Sequence, residues 1–172
     1  HLSPSTLAAL MGTTTTLIVP EAVKYQLPAD LAAQAKVLAN GASISEQGLT
    51  ITAVPMYNLP DAENKDRHVK GRGNGYVIEK SGTRVYIAGD TAGTPEMRSM
   101  PNIYIAFVPM NMPYTMSVEE AADAVLEFKP RIVYPYHYRS PDGLADVAKF
   151  KQLVNAGDPS INVMLGAWYP AE

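Results

Sequence analysis

The sequence contains no cysteine. That one absence removes disulfides, thiolate metal sites and thiol nucleophiles together, and it fits any compartment. Histidine is scarce too, with only His1, His68 and His137 in 172 residues. Any imidazole-ligated metal site must draw on those three. No apolar run approaches the roughly 18 residues that a bilayer-crossing helix requires. Neither sign of charge dominates: 14 Lys and Arg stand against 17 Asp and Glu, for a formal net charge of −3 with no block of like charges. Nucleic acid and anionic membrane surfaces are therefore poor matches as main partners. No targeting segment, internal repeat, low-complexity tract or domain linker is visible within the 172 residues. What is present is a globular composition, 47% hydrophobic and 18% charged. The length suits a single domain over 1–172 with one sizeable core.

The pattern along the chain alternates strand and helix. Ser3 is a good N-cap and Pro4 fits the first helical position, which predicts a helix over 4–11. TTLIVP (15–20) reads as a short buried strand, and PADLAAQAKVLANG (28–41) as a helix stopping at Asn40-Gly41. GLTITAVPM (48–56) alternates as a strand. The segment 57–75 is polar and long for a connection, a feature of functional loops. GYVIEK and TRVYIAG flank a Ser81-Gly82 turn and predict a hairpin. NIYIAFVPM (102–110), RIVYPYHY (131–138) and INVMLG (161–166) read as strands. Between them, SVEEAADAVLEF (117–128) carries a capping box at Ser117 and Glu120, and GLADVAKFKQLV (143–154) is helical in pattern. The whole is a layered α/β arrangement with a mixed sheet.

Chemistry-bearing residues fall near strand ends, where α/β folds place their sites. Asp90 ends the hairpin strand in IAGDTAG, His137 ends a strand, His68 sits in the long loop and His1 precedes the first helix. Nitrogen and carboxylate ligands without sulfur suit a zinc-like or manganese-like ion in hydrolysis, because such an ion supplies hydroxide near neutral pH. Each residue also has a plainer role open to it. Asp90 can cap the backbone that follows it, His68 can be a surface residue, and His137 can be a core histidine bonded to the backbone. Spacing alone does not choose between these.

The wider wording adds to this. The stretch HVKGRGNGYVIEKSGTRVYIAGDT, then NIYIAFVPMNMPYTMSVEEAADAV, then KPRIVYPYHY, resembles the metallo-β-lactamase superfamily. Within it, the similarity is to the branch related to ascorbate-6-phosphate lactonase and N-acyl-phosphatidylethanolamine phospholipase D. In that family a histidine ahead of the G-x-G-Y-type strand, the aspartate of GDT and a P-x-H-Y histidine are metal ligands. The resemblance puts these on His68, Asp90 and His137, with the aspartate bridging two metals. The family signature H-x-H-x-D-H is followed in this branch by a segment like LSPSTLAAL, and His1 matches its last histidine. Four of seven ligand positions are thus matched. The resemblance implies the C-terminal portion of a four-layer αββα sandwich, N-terminally incomplete, from a longer enzyme.

The implied activity is metal-dependent hydrolysis, in which a metal-bound hydroxide attacks a lactone, ester, amide or phosphodiester. Asp90 and His137 are the implied catalytic residues. One or two zinc ions, or manganese, serve as cofactor. With four ligands, one site keeps His1, Asp90 and His137, and the other keeps His68 with a share of Asp90. The 172 residues alone are therefore expected to bind metal weakly and to hydrolyse slowly. A small-molecule substrate is expected to meet Arg72 and Asn74, beside His68, through an anionic or amide group, although both can equally cap the hairpin. Tyr114 and Tyr138 are candidates to line the pocket or donate to an oxyanion, or are ordinary partly buried tyrosines. Trp168 is read as packing. An open sheet edge is expected to promote self-association or retention of an N-terminal fragment. An exported or periplasmic location is favoured by the resemblance. The alternative reading is a non-catalytic remnant needing a further segment or partner chain. Read literally as a mature N terminus, His1 could chelate copper through its α-amine, but such proteins are β-sandwiches and this chain alternates strand and helix.

Overall fold

Capping chemistry starts the chain. Ser3 Oγ accepts the Thr6 N–H at 3.3 Å, and Pro4 opens α1 (Pro4–Leu10). The structure, a computed structural model, describes residues 1–169. Residues 170–172 of the single-domain reading lie outside the described residues. After α1 come β1 (Leu17–Val19), α2 (Glu21–Lys24) and α3 (Ala29–Gln34). The helix expected to run to Gly41 thus stops at Gln34. Residues 35–37 form β2 (Ala35–Val37) instead, in parallel register with β1 from Leu17↔Ala35 to Val19↔Val37. Ala35 also joins Val19, Leu27 and Leu31 in a small buried cluster. Strand pairing and that cluster outweigh the helical propensity of the segment, which is a weak prior.

A hairpin of β3 (Ser43–Glu46) and β4 (Leu49–Met56) follows. Its turn residues Gln47 and Gly48 both have positive φ, 49° and 77°, as a tight hairpin turn requires. β3 has no counterpart among the strands expected from the sequence, because SISE is short and half polar. The second hairpin is as expected. β5 (Gly73–Lys80) and β6 (Thr83–Ile87) turn through Ser81 and Gly82, with φ of 50° and 81°.

Beyond it lie α4 (Pro95–Arg98), β7 (Ile105–Pro109), α5 (Val118–Phe128) and β8 (Ile132–Tyr136). The predicted capping box is present: Ser117 Oγ accepts the Glu120 N–H at 3.1 Å, and Glu120 Oε2 accepts the Ser117 N–H at 2.7 Å. The chain continues through β9 (Arg139–Ser140), β10 (Gly143–Leu144), α6 (Val147–Gly157) and β11 (Asn162–Val163). The helix expected from 143 begins at Val147, because Asp146 Oδ1 accepts the Lys149 N–H at 2.9 Å and fixes the start there. Gly143, with φ of 116°, pairs with Ser140 in the small β9–β10 hairpin.

Seven strands form one sheet in the order β11-β8-β7-β6-β5-β4-β3. The run from β6 through β7 and β8 to β11 is parallel, and the run from β6 back to β3 is antiparallel. This is the expected mixed α/β architecture. Ala121, Val125 and Phe128 of α5, with Phe150 and Val154 of α6, are buried in one core with Tyr86, Val108 and Val133 of the strands. The Tyr86 ring meets Phe128 edge-on at 6.2 Å. Among the described residues no helix is long and apolar enough to cross a membrane.

Register decides where chemistry can gather. Ile87 lies beside Phe107, and Pro109 lies beside Tyr136. β6, β7 and β8 therefore end on one rim, where they deliver Asp90, Asn111 and His137. Met56 pairs with Gly73, so the long loop between β4 and β5, which carries His68, leaves and re-enters the sheet at the same rim. The turns at Gln47-Gly48 and Ser81-Gly82 lie at the opposite one.

The sheet is tight next to that rim. A Cβ at Gly75 would meet the Ala88 carbonyl oxygen at 2.5 Å, whereas one at Gly12 meets only Thr15 Oγ1 at 3.6 Å. Gly75→Ala is expected to destabilise the fold by about 1–3 kcal/mol, the usual cost of overpacking, in urea denaturation. Gly12→Ala is expected to stay within about 0.5 kcal/mol of the parent.

Candidate metal centre

Three histidines converge on one carboxylate. His1 Nε2 is 2.7 Å from Asp90 Oδ2, His137 Nε2 is 3.3 Å from Asp90 Oδ1, and His68 Nε2 is 3.5 Å from Asp90 Oδ2. Asp90 reaches this position through Gly89, whose φ of 70° turns the chain as β6 ends. The Gly89 N–H donates to the Tyr136 hydroxyl at 3.0 Å, tying the ends of β6 and β8 together. His137 has φ of 46°, a left-handed conformation that a non-glycine residue holds only when its surroundings enforce it. His1 arrives one residue ahead of Leu2 and the Ser3 cap of α1.

Burial pushes the Asp90 carboxyl up, but the neighbouring imidazoles, His137 first, outweigh it and hold the group well below the usual carboxylate range. Asp90 is therefore an ionised acceptor at neutral pH. Burial also pushes the Tyr136 phenol up to about 12, against the lowering effect of the Gly89 N–H. Tyr136 keeps its proton.

The donor set fits a divalent cation. One ligand atom each from His1, Asp90 and His137 lie within 4.8 Å of one another, and the Nε2 atoms of His1 and His137 are only 2.9 Å apart. Two imidazole nitrogens that close, both facing a carboxylate, require a proton or a cation between them. Nitrogen and oxygen donors without sulfur suit zinc or manganese. His68 stands beside this trio and shares Oδ2 of Asp90.

The sequence missed the polar side chains behind the ligands. Asn111 and Thr115, each 3% exposed, lie on the turn after β7. Asn111 Nδ2 is 3.4 Å from both ring nitrogens of His137, and Thr115 donates its hydroxyl to Asn111 Oδ1 at 2.6 Å. Asn58, also 3% exposed, lies behind His68. The sequence signal that could have found them is position. Asn111 follows a parallel strand directly, and Asn58 opens the loop that carries a ligand.

The other candidates divide. Arg72 lines a cavity of about 850 Å³ that the four ligand-type residues also face, together with Arg67. Asn74 lines the same cavity, but its amide donates to the Leu38 carbonyl at 2.8 Å and accepts from Asn40 Nδ2 at 2.6 Å. It braces the wall. The Tyr114 ring lies under the Arg67 guanidinium at 5.3 Å, and its contribution to the site is its carbonyl oxygen, 3.1 Å from His68 Nδ1. Tyr138 does not line this cavity: it is buried, and its hydroxyl donates to the Gly166 carbonyl at 3.3 Å. The register that brings His137 to the site carries its successor past it. Trp168 packs edge-on against Phe107 and Tyr134, as expected, and also lines the cavity.

A mixed sheet with histidines gathered around one ionised aspartate at the rim where its parallel strands end defines an α/β protein with a candidate metal site there. The chain belongs to the β-lactamase superfamily domain family, whose model matches residues 1–138, and so to the metallo-β-lactamase superfamily. A protein of Thermococcus onnurineus named UPF0173 metal-dependent hydrolase is 36% identical over 123 residues, which is 69% of this chain and 53% of that one. The chain spans about half the length of the curated relatives it matches. A crystal structure from Parabacteroides distasonis, assigned as a metal-dependent hydrolase, superposes with a TM-score of 0.83 at 37% identity, over 96% of this chain and 70% of that one. Igni18, a metallo hydrolase of Ignicoccus hospitalis, gives a TM-score of 0.73 at 25% identity, over 94% and 68%.

Calorimetric titration of zinc into variants checks the donor set. Asp90→Asn and His137→Ala are each expected to weaken binding about tenfold or more, a loss typical even of supporting residues around a metal. His68→Ala, outside the tight trio, is expected to cost less.

Proposed function

We propose that this chain carries the metal site of a hydrolase that acts on a lactone, ester, amide or phosphodiester bond of a small molecule. The observation that supports it most is the convergence of His1, Asp90 and His137 within ligand distance of one another. The relatives' shared name, metal-dependent hydrolase, points the same way. Zinc is the proposed ion, with manganese as the substitute that the same donors accept.

In this reading His1, Asp90 and His137 hold one ion, and His68 with Asp90 offers part of a place for a second. Asp90 would be shared between the two places, since its Oδ2 faces both His1 and His68 while its Oδ1 faces His137. A bound divalent ion lowers the pKa of water toward neutrality and polarises a carbonyl or phosphoryl oxygen. The chain's own residues do the rest. The partly buried, ionised Asp90 accepts hydrogen bonds and would supply negative charge against the ion. Arg72 and Arg67, on the loop at the cavity mouth, attract an anionic group of the substrate. The tyrosine edge of Tyr136 and the indole of Trp168 give the cavity an apolar side that limits water.

Four ligand-type residues offer one partial site rather than two full ones, so the 172 residues are proposed to hold one ion weakly and to turn over slowly by themselves. The competing reading is a fold that binds an ion without turnover. A panel of p-nitrophenyl esters, small lactones, an anilide and bis-p-nitrophenyl phosphate decides between them. The expected result is slow hydrolysis of at least one class, abolished by dialysis against a chelator, restored by zinc or manganese, and absent in Asp90→Ala. Zinc binding with no turnover of any class in this chain and in a longer form would favour the non-catalytic reading.

A further inference from the structure

The loop bearing His68 is held by a side chain that no ligand argument calls for. Asn58 Nδ2 donates to the Tyr114 carbonyl at 2.9 Å and to the Asn64 carbonyl at 2.8 Å, and the Asn58 N–H donates to the His68 carbonyl at 2.9 Å. Two carbonyl oxygens demand a donor, so the amide orientation is fixed. Asn58 Oδ1 is buried with no partner among the described residues. A buried unsatisfied oxygen is a poor choice for stability alone.

The Tyr114 carbonyl that Asn58 anchors is the one that faces His68 Nδ1 at 3.1 Å. A carbonyl offers only lone pairs, so the ring nitrogen opposite it must carry the hydrogen. That tautomer leaves the lone pair on Nε2, which points to Asp90. The competing tautomer, with the hydrogen on Nε2, would donate toward Asp90 Oδ2 at 3.5 Å and leave no lone pair there for a metal. Two acceptors therefore compete for one imidazole proton, and the better-placed one is fixed by Asn58. We infer that Asn58 is a positioning residue that sets the His68 tautomer through the Tyr114 carbonyl, keeping Nε2 available as a metal ligand.

This deepens the metal-site reading and rests on it for its purpose, but its test needs neither metal nor activity. Asn64 provides the control, because its Nδ2 also ties the two loops together, to the Thr115 carbonyl at 3.1 Å, without touching Tyr114 or His68. With three histidines in the chain, long-range proton–nitrogen NMR of the metal-free protein at mildly basic pH resolves each ring, and His68→Gln assigns the signal.

The parent is expected to show His68 mainly with hydrogen on Nδ1. Asn58→Ala is expected to move the tautomer ratio toward Nε2–H by about threefold to tenfold, the equilibrium effect of one ordinary hydrogen bond. Asn64→Ala is expected to lower the melting temperature while leaving the ratio unchanged. Should Asn58→Ala fail to fold, Asn58→Asp keeps the size, replaces the donor with an acceptor, and is expected to shift the ratio the same way. A parent His68 with hydrogen on Nε2, an unchanged ratio in the Asn58 variants, or an equal shift in Asn64→Ala would overturn the inference. Failure of zinc to bind would instead count against the metal-site reading, since the tautomer is measured without it.

Discussion

The structure depends on keeping one carboxylate ionised where burial opposes it. Asp90 is largely covered, and desolvation alone would drive it toward its neutral form. The neighbouring imidazoles, His137 above all, reverse that outcome, with His1 closing the cluster. Each comes from a different part of the chain: the head of the first helix, the long loop and the end of β8. Bringing them to one point fixes the register of the parallel strands, the left-handed turn at His137 and the path of the chain through Gly89. A slip of one residue in β8 would move His137 to the other face and put Tyr136 or Tyr138 in its place.

Loop 57–72 is anchored at both ends and along its inner side. Tyr57 donates its hydroxyl to Glu96 at 2.9 Å, Lys70 pairs with Glu96 at 2.6 Å, and the Lys70 ammonium lies 4.7 Å from the Tyr57 ring centroid. The loop is thereby stapled at both ends to α4, and Asn58 and Asn64 tie its inner side to the turn at 111–115. A segment that reads as polar and glycine-bearing in sequence is held by side-chain bonds in place of backbone ladders.

That difference explains what the sequence made legible. Periodicity and capping reveal the hairpin through Ser81-Gly82, α5 with its Ser117–Glu120 box and the parallel strands, because each is encoded within a short window. The end of α3 was not legible, since Ala35–Val37 takes its conformation from Leu17–Val19, distant in sequence. His1, Asp90 and His137 were legible through motif resemblance and strand-end position. Asn58 and Asn111 were not, because a buried amide has no periodic or spacing signature and shows its role only through the carbonyls and rings it meets. Tyr138 shows a related effect: neighbours in sequence point in different directions across a strand end, so it lies away from the cavity that His137 faces.

The sheet divides its labour. β6, β7 and β8 lead into Asp90, Asn111 and His137, whereas the turns at Gln47-Gly48 and Ser81-Gly82 sit at the far rim with open space around their glycines. The molecule thus has a working end and a spare end. The Gln47-Gly48 turn is tied back to Thr14 and, through Glu46, to Thr16 and Lys36, whereas the Ser81-Gly82 turn is the natural place for a reporter or tether, far from the clustered histidines.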